Sequence, residues 1–131
     1  MDNSGKPLNI VFGHHPIYSQ GGHGDTDLVQ QIIWNILFEQ EVDFYFSGHD
    51  HPLNAPRKGD SRPYYLVSGA GGAHYRDRED IKDFSTSTAE SLFVHRDNGF
   101  LWMEIHEASA TFRFYDKAGD LIYEKQHEQQ D

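Results

Sequence analysis

The sequence predicts an α/β fold in which a βαβ unit is followed by a mostly antiparallel β-meander. Two short apolar runs, residues 8–12 and 42–46, each have the length of a buried strand and are followed closely by a glycine. Between them, apolar residues recur at helical spacing, and beyond residue 90 short apolar runs alternate with turn sequences. The length of 131 residues indicates one domain, 1–131.

The helix between the two strands is predicted to follow a Gly-rich loop, residues 19–24. Asp25 or Thr26 can cap its first turn, and the periodic pattern ends near Gln40. Its expected apolar stripe consists of Leu28, Val29, Ile32, Ile33, Ile36 and Leu37.

The rest of the chain is predicted to consist of strands. A third strand, residues 64–67, leads into an SGAGG turn. Residues 92–95 and 100–106 flank a turn, Asp97-Asn98-Gly99, and an Asn-Gly pair is typical of a β-hairpin. Two further strands, 110–115 and 121–125, flank a turn at 117–120 that contains a glycine.

Two segments are predicted to lie outside the regular elements. Residues 73–90 are polar and charged, which predicts a long loop. Residues 126–131 are predicted to form a polar tail.

Composition limits the classes of partner. The formal net charge of −10 argues against nucleic acid and anionic membranes, because a phosphate backbone is bound by clustered Lys and Arg. Since the chain lacks cysteine, disulfides and thiolate metal sites are excluded. No apolar run is long enough for a signal peptide or a membrane span. We therefore expect no nucleic-acid and no membrane partner, and the sequence indicates no compartment.

Five of the nine histidines lie in three short patches, which are VFGHHP (11–16), GGHG (21–24) and SGHDH (47–51). Neutral imidazole is the commonest metal ligand among side chains. His14 directly follows the first strand, whereas His49 and His51 follow the second, so all three are expected at the carboxyl ends of the strands. In an extended segment, residues two apart point to one side. The pattern predicts a metal site of His14, His49 and His51.

The remaining histidines and nearby polar residues have weaker signals. His15 alternates with His14 and is expected to pack or hydrogen-bond nearby, and Asp50 is expected to cap a turn. His23 is either a loop histidine or a phosphate contact aided by the following helix N-terminus. The histidines without a partner pattern are expected to be structural or exposed; they are His74, His95, His106 and His127. Four tyrosines either line a pocket for an aromatic ester or belong to the core; they are Tyr18, Tyr64, Tyr65 and Tyr75.

The segments VFGHHPIYSQGGHG, SGHDH and YLVSGAGG resemble the calcineurin-like metallophosphoesterases, and most of all the purple (tartrate-resistant type) acid phosphatases. The resemblance runs over residues 9–125. It implies that the chain is the C-terminal half of a four-layer α/β/β/α sandwich. It also implies a phosphomonoesterase activity on a phosphate ester substrate.

The resemblance further implies residue roles. His14 and His49 would share one metal ion, and His51 would bind its neighbour. The two ions, divalent or of mixed valence (Fe, Zn or Mn), would activate a hydroxide that attacks phosphorus. His23, nine residues after His14, would contact the substrate phosphate or protonate the leaving group.

The chain departs from the family in lacking the ligands of the family's first half. The GDxH and GNH motifs, which carry Asp and Asn ligands, are absent. We therefore expect the missing N-terminal half or a homo-oligomer to complete the site, and we expect uncovered apolar surface to favour self-association. Three functions stay open: a dimetal phosphatase to which this chain supplies only histidines, a non-catalytic module of the same fold, and a mononuclear hydrolase using His14, His49 and His51.

Overall fold

Eight strands and one helix make up the part of the chain that the computed structural model describes, residues 7–59, 62–72 and 87–128. In chain order they are β1 (Ile10–Phe12), α1 (Asp27–Glu39), β2 (Phe44–Ser47), β3 (Leu53–Arg57), β4 (Tyr64–Ser68), β5 (Glu90–His95), β6 (Gly99–His106), β7 (Ser109–Asp116) and β8 (Leu121–Glu128). None of the described helical residues forms a segment both long and apolar enough to cross a membrane.

The strands form two sheets. Sheet A has the order β1-β2-β4-β3-β5, and sheet B has the order β6-β7-β8. Strand β2 pairs in parallel with both β1 and β4, whereas β3 pairs antiparallel with β4 and β5. Sheet B is antiparallel throughout. The predicted βαβ unit and the antiparallel strands after it are therefore confirmed.

The central strands of sheet A, β2, β3 and β4, are buried on both faces. Successive side chains of a strand point to opposite faces, so each face packs against a different layer. Phe44 and Leu66 pack against Phe112 and Phe114 of β7, which fills the space between the two sheets. The opposite face of sheet A, which includes Tyr45, packs against α1. The layers are thus helix, sheet A and sheet B. Of the four tyrosines considered for a pocket, Tyr18, Tyr64 and Tyr65 belong to these cores, and Tyr75 lies outside the described residues.

The apolar stripe of α1 is narrower than predicted. Val29, Ile33 and Leu37 pack on sheet A. A second stripe faces outward instead, with exposed fractions of 66% for Leu28, 61% for Ile32 and 54% for Ile36. Thr26 occupies the N-cap position without a side-chain hydrogen bond to the helix.

Strand β3 was missed because it contains Pro56, which disfavours a strand interior. The β3–β5 pairing shifts register between Ala55 and Pro56, so the proline sits at a bulge.

The hairpin predicted at Asn98-Gly99 was also wrong, because β5 belongs to sheet A and β6 to sheet B. The turn carries the chain from one sheet to the other. Asn98 Nδ2 donates to the Ala70 carbonyl at 2.8 Å, and the Gly99 N–H donates to the same oxygen at 3.3 Å.

Two predicted segment boundaries changed. Strand β8 continues to Glu128, so the first three residues of the predicted polar tail, 126–128, are in a strand. Of the predicted loop 73–90, residues 73–86 lie outside the described residues and Glu90 begins β5.

Candidate metal centre

The carboxyl ends of β1 and β2 lie side by side and carry the histidines of two sequence patches. The Gly13 N–H donates to the Phe46 carbonyl at 2.9 Å, and the Gly48 N–H donates to the His14 carbonyl at 3.1 Å. These bonds extend the pairing of the two strands into the following loops. As a result His14 Nε2 lies 3.3 Å from His49 Nδ1. The expectation that both patches meet at one rim of the sheet is confirmed.

His15 lies beside these two rings. Its centroid is 4.8 Å from that of His14, in an edge-to-face arrangement, and 4.5 Å from that of His49. One nitrogen from each of the three rings lies within 4.8 Å of the other two. Within residues 7–59, 62–72 and 87–128, this is the one group of three or more His, Cys, Asp or Glu side chains close enough to hold an ion. His15 was predicted to pack or hydrogen-bond near His14, and its ring does lie beside those of His14 and His49. Its membership of a three-histidine group was not predicted.

The loop that carries His49 is not extended. His49 has φ of +64°, in the left-handed region that few non-glycine residues adopt. His49 and His51 therefore do not lie in an extended segment, and the two-residue alternation that predicted a common direction for them does not apply. His51 is exposed and is not part of the three-histidine group.

His23 approaches the cluster from the Gly-rich loop. Its ring centroid is 4.5 Å from that of His49, and its side chain is 64% exposed. Its Nε2 lies 4.0 Å from Oδ1 of Asp50. The structure thus brings His23 to the same rim as His14 and His49, although the three come from separate segments.

Asp50 joins the Gly-rich loop to the loop after β2. Its carboxylate is 1% exposed, and it accepts hydrogen bonds from the Ser19 hydroxyl and, at 3.1 Å, from the His23 N–H. The predicted turn cap is therefore a link between two loops. The signal in the sequence was an acidic residue between two candidate ligands, together with a glycine-rich loop that begins with Ser19.

Two glycines allow this close packing around Asp50. A Cβ added to Gly21 would lie 2.5 Å from Asp50 Cγ, and one added to Gly69 would lie 1.8 Å from the Asp50 carbonyl oxygen. Gly69 belongs to the SGAGG turn after β4, so this turn packs directly against the loop that carries His49 and Asp50. Glycines of two motifs, GGHG and SGAGG, thus pack closely on Asp50, one at its carboxylate and the other at its backbone carbonyl.

The electrostatics at His49 favour neutral imidazole. Partial burial lowers the pKa of His49 below its ordinary value of 6.5, and the neighbouring His23 and His15 lower it further, while Asp50 opposes the shift. A neutral ring keeps a nitrogen lone pair for a metal. The donor set fits one imidazole-bound transition-metal ion, and no carboxylate of the described residues joins the group.

Comparison with known proteins is consistent with this geometry. The profile of the calcineurin-like phosphoesterase family matches residues 2–53. Purple acid phosphatase 17 of Arabidopsis thaliana is 35% identical over 123 residues, which is 94% of this chain and 36% of that protein. Tartrate-resistant acid phosphatase type 5 of Homo sapiens is 26% identical, over 87% of this chain and 35% of that protein.

Solved structures give the same fold. A Plasmodium protein described as GAP50, the anchor in the inner membrane complex, has a TM-score of 0.75 and 25% identity, over 95% of this chain and 37% of that chain. A purple acid phosphatase from yellow lupin seeds has a TM-score of 0.70 and 18% identity, over 98% of this chain and 26% of that chain. The chain thus spans about a third of the length of the curated relatives it matches. Its residues 2–53 match the calcineurin-like phosphoesterase family, and nearly its whole length is similar to purple acid phosphatases.

Proposed function

We propose that this chain supplies the histidine ligands and a proton donor to a metal-dependent phosphoric ester hydrolase of the acid phosphatase type. The observation that carries the proposal is the 3.3 Å approach of His14 Nε2 to His49 Nδ1 at the carboxyl ends of two parallel strands. That rim is where open α/β sheets bind their ligands. The similarity to purple acid phosphatases over 94% of the chain supports the same chemistry.

In this proposal His14 and His49 hold one metal ion and His51 contributes to a second, with Zn, Fe or Mn as the candidates. Bound ions of this kind supply Lewis-acid polarisation of a phosphoryl oxygen and lower the pKa of water. The side chains of His14, His49 and His51 would hold and orient these ions. His14 and His51 are exposed and His49 is half-buried, which leaves room for a phosphate ester at this rim.

His23 is proposed to have a different role, as a phosphate contact or proton donor rather than a metal ligand. Its exposed ring, 4.5 Å from that of His49, faces the same rim. A protonated imidazole there can donate to the phosphate or to the departing oxygen, a role worth roughly 10²–10⁴-fold in rate. Asp50 fixes the backbone of His23 through the 3.1 Å hydrogen bond.

The remaining ligands are proposed to come from outside this chain. The chain covers about a third of its curated relatives, and no described carboxylate joins the histidine group. Either the rest of a longer protein or a second copy would supply them. A half-built site loses the positioning of water and substrate, which is worth several kcal/mol of barrier, on the order of 7–11 in the best cases.

A second candidate is a binding module without catalysis. It is favoured by the similarity to the Plasmodium protein described as an anchor in the inner membrane complex, at a TM-score of 0.75. An anchoring role needs the fold but no complete metal centre. Metal-dependent hydrolysis separates the two candidates.

The test is hydrolysis of p-nitrophenyl phosphate in the presence of Zn²⁺ or Mn²⁺. We expect the isolated chain to be no faster than background, and a longer protein that contains it to be active and inhibited by a chelator. In the longer protein, His49→Ala should abolish activity, whereas His106→Ala, whose ring pairs with Glu104 on β6, should not. A folded, metal-loaded longer protein without activity would favour the binding module. Strong, chelator-sensitive activity of the isolated chain would instead favour a mononuclear hydrolase.

A further inference from the structure

We propose that Asp25 is a positioning residue for His23, because it fixes the Gly-rich loop against residues 87–89, the segment that leads into β5. The sequence predicts Asp25 or Thr26 as the cap of α1, and Thr26 occupies that position. The proposal rests on the proposed function only where it gives His23 a role at the substrate phosphate. The hydrogen bonds that carry it are independent of that role.

The carboxylate of Asp25 joins two segments that are far apart in the chain. Its Oδ1 accepts a hydrogen bond from the Ser19 N–H at 3.1 Å and another from the Ser87 hydroxyl at 2.7 Å. Its Oδ2 accepts from the Thr88 N–H at 2.8 Å and from the Thr88 hydroxyl at 3.0 Å. An ionised carboxylate offers about four acceptor positions, so these bonds from described residues outside α1 use its capacity. Asp25 therefore connects two segments and does not cap the helix.

Ser19 connects Asp25 to His23. Ser19 is 1% exposed, and while its N–H donates to Asp25, its hydroxyl donates to Asp50. Asp50 also accepts from the His23 N–H at 3.1 Å. The Gly-rich loop is thus held between two carboxylates, and Ser19 contacts both. A shift of Ser19 away from Asp25 would therefore displace the loop that carries His23.

Other contacts keep both segments in place when Asp25 is changed. The Gln20 side chain donates through Nε2 to the Ala89 carbonyl at 3.0 Å, and the Gln20 N–H donates to Asn54 Oδ1 at 3.3 Å. Lys58 Nζ donates to the Thr88 carbonyl at 2.6 Å. The effect of losing Asp25 is therefore expected to be local to the Gly-rich loop.

The isosteric variant Asp25→Asn tests this connection. It keeps the shape of the side chain but replaces one acceptor oxygen by an amide nitrogen, which donates and cannot accept. The two donors bonded to that oxygen then lose their partner. Asp27→Asn is the matched control, because Asp27 is exposed in the first turn of α1 and removes an equal charge near the helix N-terminus.

The first experiment is amide hydrogen exchange of the 131-residue chain, followed by nuclear magnetic resonance. We expect Asp25→Asn to accelerate exchange at Gly21 and His23 at least about 10-fold, the size of effect that loss of a hydrogen bond to a charged acceptor produces. Exchange at Phe112, buried in β7, should stay within about twofold, as should all three amides in Asp27→Asn. Equal acceleration at Phe112 would show a general loss of stability and overturn the proposal, as would unchanged exchange at His23.

The second experiment measures turnover and metal content of a longer, active protein that contains this chain. Asp25→Asn should lower kcat at least about 10-fold with metal content unchanged, since a misplaced group can cost about 100-fold. In a His23→Ala background the same change should lower kcat by no more than about twofold, because Asp25 acts through His23. An equal loss in both backgrounds, or a loss of metal, would overturn the proposal. If no longer protein is active, the proposed function fails, and the exchange measurement still decides whether Asp25 holds His23.

Discussion

The Asp50 carboxylate accepts a hydrogen bond from the backbone N–H of His23 at 3.1 Å and thereby ties the loop before α1 to the loop after β2. The same carboxylate accepts from the Ser19 hydroxyl. Ser19 in turn receives a hydrogen bond from the Gly21 N–H at 2.9 Å. The position of His23 relative to His49 thus depends on one buried acidic side chain between two candidate ligands.

Replacing Asp50 by Ala should destabilise the chain, because it leaves the buried Ser19 hydroxyl and the part-buried His23 N–H without their acceptor. Each unsatisfied buried group costs about 1–3 kcal/mol. Urea denaturation should show this loss for Asp50→Ala and a smaller one for Asp50→Asn, which keeps one carbonyl oxygen. Asp27→Ala, at an exposed position in α1, is the control. An Asp50→Ala variant as stable as that control would show that the link contributes nothing.

Gly69→Ala should displace the histidine loop. The added methyl group would lie 1.8 Å from the Asp50 carbonyl oxygen, which is backbone and cannot rotate away. We expect a lower unfolding free energy and weaker Zn²⁺ uptake, both measured by calorimetry. Gly72→Ala is the matched control, because a Cβ there meets nothing within 4 Å. Equal behaviour of the two variants would contradict the close packing of the SGAGG turn on the Asp50 loop.

The two apolar stripes of α1 should respond very differently to a charge. Ile32 is 61% exposed, whereas Ile33 packs on the core beside Leu37. Ile32→Glu should change stability by no more than about 0.5 kcal/mol, as exposed substitutions generally do, while Ile33→Glu buries an unpaired carboxylate and should cost several-fold more. Thermal unfolding checks both. If exposed apolar surface drives self-association, Ile32→Glu should also lower the apparent mass in light scattering.

The chain should lose stability in mild acid because of His127. Burial lowers the pKa of this imidazole below 6.5, the nearby Arg62 and Arg57 lower it further, and Asp43, whose Oδ1 is 3.6 Å from its Nε2, opposes them. As the pH falls below 6.5, the unfolded chain therefore takes up a proton that the folded chain resists. This group lowers the free energy of unfolding progressively as the pH falls from 6.5 to the folded-state pKa. Well above pH 6.5 it has no effect on stability.

The measurement is the free energy of unfolding between about pH 7.5 and about pH 5.5, on either side of the ordinary histidine value. His127→Gln should give a shallower decline than the parent chain. His106→Gln should not, because its side chain is 71% exposed. An unchanged slope in His127→Gln would mean that other groups, such as His49, carry the whole effect.

The βαβ unit and the meeting of His14 with His49 could be predicted because both follow from local patterns. Apolar runs of strand length flank a helical period, and parallel neighbours place their carboxyl ends together. The features that could not be predicted depend on contacts between residues that are far apart in the sequence. Nothing local distinguishes an Asn-Gly turn within one sheet from one that joins two sheets, and here the Ala70 carbonyl fixes the connection.

The site itself was only partly predictable for the same reason. The left-handed conformation of His49 breaks the two-residue alternation on which the pairing with His51 was based. The role of Asp50 depends on Ser19 and His23, which lie about thirty residues earlier in the chain. Likewise, Pro56 is compatible with β3 only because the pairing with β5 shifts register beside it.

The most direct test of the proposed phosphoesterase role is the activity of a chimera. In it, this chain replaces the segment of Arabidopsis purple acid phosphatase 17 that aligns with it over 123 residues. We predict chelator-sensitive hydrolysis of p-nitrophenyl phosphate that is abolished by His49→Ala and retained in His106→Ala. A folded, metal-loaded chimera that is inactive, or one whose activity survives His49→Ala, would contradict the claim that this chain supplies working ligands to a phosphatase.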